Sequence, residues 1–298
     1  MVTMIYPKLL RGLPALALPF SLLIASSSAT ATPTTTACTM DLGSVTSQGV
    51  VQYRTVTATQ PVSVSAIQRQ VKVLGPGEAR LSTIWNWSSN LPSLESGIVV
   101  KNTGVIGQAS YNSNTAEPAD PTFTQISAGW GGYSAIGLSV DDDRRTARNQ
   151  FYGLSIGTVR RWVINSFGWT PTGQTGGFSA VKTWALLGQS TTYDTFLATT
   201  RGGALYTIRL PLTRTMTPVV KQVRSGTWQA FDYLIAQRCG QVSTLLTAID
   251  KDTGAAYLYA MSHANGPSTV IKLLGKLPGT YTDPIYFLRT HGTYLRGE

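Results

Sequence analysis

Few side chains in this chain have the type and spacing for covalent or metal chemistry. His263 and His291 are the only histidines. Neither has a second histidine three or four residues away, so no zinc site of ordinary spacing is expected. No Gly-x-Ser-x-Gly nucleophile elbow and no Gly-x-x-x-x-Gly-Lys phosphate loop occurs. The one acidic run is Asp141-Asp-Asp143. Calcium loops alternate their acidic ligands and follow them with Gly. Here Arg144 and Arg145 follow at once, so the run reads as a solvated loop neutralised by its own arginines. Glycoside hydrolysis needs two carboxylates roughly 5 to 10 Å apart. The apolar segments that could carry them hold only Asp232, with Asp283 at a corner. No catalytic residue, metal ligand or cofactor is assigned, and a degenerate glycoside hydrolase stands as a second alternative.

What remains is recognition. Trp130, Trp228 and Tyr281 fall at equivalent corners of recurring segments, and Tyr133, Phe178 and Phe231 form a second equivalent set. Sugar sites join an aromatic face to amide, carboxylate or backbone polar groups. Trp130, Tyr133, Trp228, Phe231 and Tyr281 are therefore the candidate ligand-binding residues, provided that they face solvent. Wedged between sheets, the same rings would be packing.

The elements that must position them repeat. Five segments have a short apolar strand, a turn built on Gly, and a second alternating strand. Their turn glycines are Gly49, Gly104, Gly157, Gly203 and Gly254, spaced 46 to 55 residues apart. That period, four strands long, fits a blade of a β-propeller. Labelling the strands of a blade a to d, the two strands around each Gly are b and c. Outer d strands are expected at 67–74, 123–127, 219–224 and 270–274, whereas 169–177 reads as loop. Apolar a strands are expected at 81–87, 133–139, 178–187, 231–237 and 284–290. The last has no b, c and d after it, and the first set, at 40–74, has no a before it. Strand 284–290 should therefore complete the N-terminal blade, giving five four-stranded antiparallel blades in a ring with no open edge. The class is all-β.

Residues 1–31 read as a secretory signal peptide: Lys8 and Arg11, then an apolar stretch over 12–25, then an Ala29-Thr-Ala31 cleavage site. Residues 32–37 read as a disordered polar arm, and 38–298 as one propeller domain of a secreted protein. No later segment is apolar for 18 residues, so none is expected to span a membrane. Charged residues are only 13 % of the chain, yet the formal net charge is +10, or +8 without Lys8 and Arg11. The basic residues are scattered and no run of five exists, so nucleic acid is not an expected partner. In a secreted chain, Cys38 and Cys239 favour one disulfide. Both precede strand b of their blades, which are neighbours across the seam of the ring.

The stretches Phe123-Thr-Gln-Ile-Ser-Ala-Gly-Trp130-Gly-Gly-Tyr133-Ser-Ala-Ile136 and Leu245-Leu-Thr-Ala-Ile-Asp-Lys-Asp-Thr-Gly254-Ala-Ala-Tyr-Leu-Tyr259 resemble the tachylectin-like, or FG-GAP (VCBS)-type, propeller repeats of secreted actinobacterial proteins. The Asp-rich loop of such repeats survives here only as Asp141 to Asp143, and the matching loop after Ala236 has no acid. The resemblance implies a binding module, since tachylectin-type propellers hold amino sugars in shallow pockets. The function expected is a secreted, non-catalytic module binding carbohydrate (a cell-wall glycan or amino sugar). The alternative is an interaction or inhibitory propeller with an extracellular protein partner.

Overall fold

Alternating apolar and polar residues in runs of five to nine, broken by Gly, build an all-β chain. The computed structural model describes residues 37–87, 94–114, 119–141, 148–165, 168–263 and 266–291. Residues 1–36, which the sequence reads as a signal peptide and most of a polar arm, lie outside the described residues, as do Asp142, Asp143 and the side chain of Asp141. Among those described, the helical turn is a single 3-10 turn, Gly266–Ser268.

Three four-stranded antiparallel sheets follow the same order. The first runs Tyr133–Asp141, Arg148–Ser155, Thr158–Asn165, Gly168–Thr175, and the second Val181–Gln189, Tyr193–Thr200, Leu205–Pro211, Val219–Arg224. The third runs Tyr233–Cys239, Ser243–Asp250, Ala255–Ser262, Ile271–Lys276. A ten-stranded sheet holds two more sets of the same kind. In one, the C-terminal strand Ile285–Thr290 pairs with Thr39–Val45, which pairs with Val50–Thr57, flanked by Ser63–Val64 and Gln68–Lys72. In the other, Ala79–Ser82 and Trp85–Trp87 pair with Leu94–Lys101, followed by Ile106–Asn112 and Thr122–Ser127. A short parallel bridge of Arg289 and Thr290 to Trp85 and Asn86 joins the two. We call these five groups sets, taking the N-terminal one as set 1.

Residues 168–175 form a strand where the sequence reads as loop. Pro171 has no N–H to give a ladder. It is tolerated because the strand is an edge and because its register shifts at Arg161/Trp162, so Thr172 is left over as a bulge.

The turn glycines do two jobs. All five have φ between +67° and +90°, the left-handed region in which a side chain is strained. Their carbonyls then accept an N–H from the next corner: Trp130 on Gly104 at 2.9 Å, Phe178 on Gly157 at 3.0 Å, Trp228 on Gly203 at 3.0 Å and Tyr281 on Gly254 at 2.9 Å. A Cβ on Gly49 would lie 2.1 Å from the carbonyl oxygen of Leu74. The Gly therefore fixes both the hairpin and the point where the chain turns toward its next set.

The core lies between sets. Trp85, fully buried, packs with Tyr111 and Phe287 between sets 1 and 2. Buried charges also cross these seams. Arg289 holds Glu95 at 2.8 Å and Asp41 at 3.0 Å and lies 4.0 Å from the centre of the Tyr53 ring. Arg148 holds Asp194 at 2.7 Å, and Tyr152 donates to the same carboxylate at 2.6 Å. The Arg161 guanidinium, 2 % exposed, donates to the carbonyls of Pro211, Leu212 and Thr213 and to the Thr172 hydroxyl. Cys38 and Cys239 form a disulfide with Cα atoms 5.6 Å apart, joining set 1 to set 5.

Candidate functional site

The corner aromatics are covered. Trp130 is 7 % exposed, Trp228 6 %, Phe231 8 % and Tyr281 1 %; Tyr133 is half-buried. The Trp130 ring lies 4.3 Å from that of Tyr133, 5.2 Å from Trp162 and 5.5 Å from Phe151. Its indole N–H donates to the Ser127 hydroxyl at 2.8 Å. Trp228 lies 5.3 Å from both Phe231 and Tyr259. Tyr281 donates its hydroxyl to the Pro278 carbonyl at 3.0 Å and carries the Arg54 guanidinium 5.5 Å from its ring centre. These residues fall in three separate core clusters, so no one site gathers them. Their periodicity follows the seams between sets, each of which needs a large ring to fill it.

A different place gathers chemistry. A cavity of about 300 Å³ lies among the first strands of all five sets. Its apolar wall includes Ile84, Ile136, Leu186, Ile235 and Leu288, with Trp184 and Phe196. Trp184 stacks on Phe196 at 4.8 Å and gives its indole N–H to the Ile136 carbonyl at 3.0 Å. Ser82, Thr83, Ser134 and Thr183 add hydroxyls, and Lys182, Asp232, Tyr233 and Lys251 add charge and a phenol.

The charged group is tightly arranged. One oxygen of Asp232 sits 3.0 Å from Lys182 Nζ, and the other accepts the backbone N–H of Lys251 at 2.9 Å. Lys182 Nζ also donates to the Gln229 carbonyl at 2.6 Å. Lys251 Nζ donates to the Pro284 carbonyl at 3.2 Å and stands 5.7 Å from the centre of the Tyr233 ring. The Tyr233 hydroxyl donates to the same carbonyl at 2.6 Å. Burial, with the Asp232 charge adding to it, pushes the Tyr233 hydroxyl well above the ordinary phenol range, so it stays a neutral donor.

Sequence reasoning singled out Asp232 and missed Lys182, Thr183, Trp184 and Lys251. A signal existed for one of them. The backbone N–H groups of Phe178 and Trp228 bond Gly157 and Gly203 alike, so Phe178 matches Trp228 and not, as the sequence reads, Phe231. On that corrected alignment Lys182 and Asp232 take the same position of successive repeats. Opposite charges there announce a pair across a seam. Nothing comparable marks Lys251, which begins a turn.

Asp232 is the one carboxylate on the cavity wall among the described residues. Asp283 faces elsewhere, accepting from Gln52 at 3.2 Å. Among the described residues no three His, Cys, Asp or Glu side chains gather in a way that could hold a metal, and no helix is long and apolar enough to cross a membrane. His263 Nε2 lies 3.0 Å from the Gln241 carbonyl.

The sequence matches no protein-family model, and no curated protein matches it. Solved structures with some likeness include the SapL1 lectin in complex with alpha methyl fucoside, at 11 % identity and a TM-score of 0.45, covering 78 % of this chain and 81 % of that one. The alpha-L-arabinofuranosidase PaAbf62A from Podospora anserina, in complex with cellotriose, has 13 % identity and a TM-score of 0.46 over 68 % of this chain and 71 % of that one. The BP39L lectin from Burkholderia pseudomallei has 13 % identity and a TM-score of 0.42 over 78 % and 70 %. At such identities and scores the likeness says nothing of what this chain binds.

Proposed function

We propose that the chain is a secreted, non-catalytic, five-bladed β-propeller that binds carbohydrate in the cavity among its first strands. The leader-like residues 1–31 support secretion. The ring of blades is supported by neighbour order. Strand Tyr133–Asp141 lies beside Val181–Gln189, which lies beside Tyr233–Cys239, then Ile285–Thr290, then Ala79–Ser82, which lies beside Tyr133–Asp141 again. Each set is then one blade, and the C-terminal strand completes the N-terminal one.

The observation that carries the function is the lining of that cavity. A space of ligand size, roughly 300 Å³ or more, is walled by apolar and aromatic side chains and edged by four hydroxyls, a carboxylate and two ammonium groups. Sugars need that mixture: apolar surface against C–H faces, and directional donors and acceptors for hydroxyls. The corner aromatics have no free face to offer, so the ligand is placed in the cavity and not on Trp130, Trp228 or Tyr281. Among the described lining residues Asp232 is the one carboxylate, which leaves the two-carboxylate hydrolytic step without a second group there.

The test is a glycan-array screen of the oxidised protein beside a Ser134→Trp variant. Ser134 is exposed at the edge of the cavity, so an indole there would close the mouth without touching the core. Glycan binding lost in that variant, with its thermal unfolding unchanged, is the expected result. A blank array from folded protein would reject carbohydrate. It would turn attention to a protein partner and to the exposed Val219, Val220, Val270 and Leu273.

A further inference from the structure

We infer that the ligand of this cavity carries a carboxylate, and that the ammonium of Lys251 holds it. The inference rests on the cavity being the binding site, and it names the chemistry that the site selects.

Three observations combine. Asp232 is the one described carboxylate on the wall, and it is already engaged with the ammonium of Lys182 at 3.0 Å and the backbone N–H of Lys251 at 2.9 Å. One negative charge therefore faces two ammonium groups. Second, the Lys251 ammonium, which has three N–H donors, has the Pro284 carbonyl as its hydrogen-bond partner, at 3.2 Å. A carbonyl satisfies a donor but does not neutralise a cation. Third, Lys251 is anchored: its backbone N–H is fixed by Asp232, and its Nζ is held between the Pro284 carbonyl and the Tyr233 ring. A preplaced cation beside apolar walls favours an anion through charge-assisted hydrogen bonds, which are roughly twice as strong as neutral ones. The hydroxyls of Ser134 and Thr183, elsewhere on the lining of the same cavity, suit the rest of a polar ligand.

A carboxylate could arrive on a sugar acid or on a short fatty acid, so the experiment separates the two. Isothermal titration of the full folded chain at low salt uses glucuronate, glucose and octanoate as probes. It is repeated on Lys251→Met, which keeps the apolar stem, and on Lys251→Arg, which keeps the charge. The expected result is glucuronate binding at least about tenfold more tightly than glucose. Lys251→Met should erase that ratio, and Lys251→Arg should retain most of it. Equal binding of the two sugars, or a preference that survives Lys251→Met, overturns the inference and leaves carbohydrate binding standing. Octanoate binding lost in Lys251→Met, with neither sugar bound, supports the carboxylate contact and rejects the sugar. No binding of any probe overturns both.

Discussion

Removing the disulfide by Cys38→Ser together with Cys239→Ser should destabilise this chain more than most such losses. The two cysteines are 201 residues apart. A cross-link removes loop-closure entropy from the unfolded chain roughly as the logarithm of the loop length. At this separation that amounts to about 5 kcal/mol at 25 °C. The native strands do not depend on the bond for their order, because Ile285–Thr290 already pairs with Thr39–Val45 through five register positions, from Asp41/Arg289 to Val45/Ile285. The effect should therefore lie mainly in the unfolded state. Guanidinium denaturation of the oxidised protein and the double Ser variant measures it. We expect a loss of about 3 to 5 kcal/mol, a steeper denaturant dependence as the unfolded chain expands, and unchanged native circular dichroism. A loss below about 1 kcal/mol would refute the reasoning, since it would mean that the unfolded chain keeps its ends together without the bond.

Three further outcomes follow from particular contacts. Gly49→Ala should lower stability by about 2 kcal/mol or more in the same denaturation assay, because its φ of +78° and the Leu74 carbonyl 2.1 Å from a Cβ leave no relaxed position. Arg289→Met should cost about 3 to 5 kcal/mol by stranding buried Glu95, and adding Glu95→Leu should restore part of that loss in a double-mutant cycle. Burial raises the hydroxyl pKa of Tyr111, Tyr152, Tyr233 and Tyr286, with Glu95, Asp194 and Asp232 adding to it at the first three. A phenol held neutral in the folded chain contributes stability that is complete below the unfolded value near 10. That stability falls by about 1.4 kcal/mol per pH unit per phenol above it. Absorbance near 295 nm should therefore show these four ionising only as the protein unfolds in alkali.

The repeat was legible because backbone geometry requires particular residues. The left-handed turns at Gly49, Gly104, Gly157, Gly203 and Gly254 favour Gly, which alone adopts that backbone without strain from a side chain, so their spacing gives the period directly. The orphan apolar strand at the C-terminus and the incomplete first set pointed to each other, and Ile285–Thr290 does pair with Thr39–Val45. The pairing of Cys38 with Cys239 was legible from the same layout. The strand Gly168–Thr175 was not, because Pro171 and its neighbouring Gly and Thr residues carry no alternation, and the edge tolerates them only through a bulge. The role of the corner aromatics was also hidden. A ring at a corner repeats with the strand set whether it fills a seam or faces a ligand, and only burial separates the two. The cavity was least visible, since it joins short pieces of five strands that lie far apart in the chain. Its cation Lys251 stands in a turn that looks like any solvated loop.

The most direct test of the proposed site is a crystal structure of the protein with a glycan identified by the array. Sugar density is expected in the cavity among the first strands, with hydroxyls within hydrogen-bonding distance of Asp232 and Thr183. Density between outer strands or on a corner, with the cavity filled only by water, would contradict it.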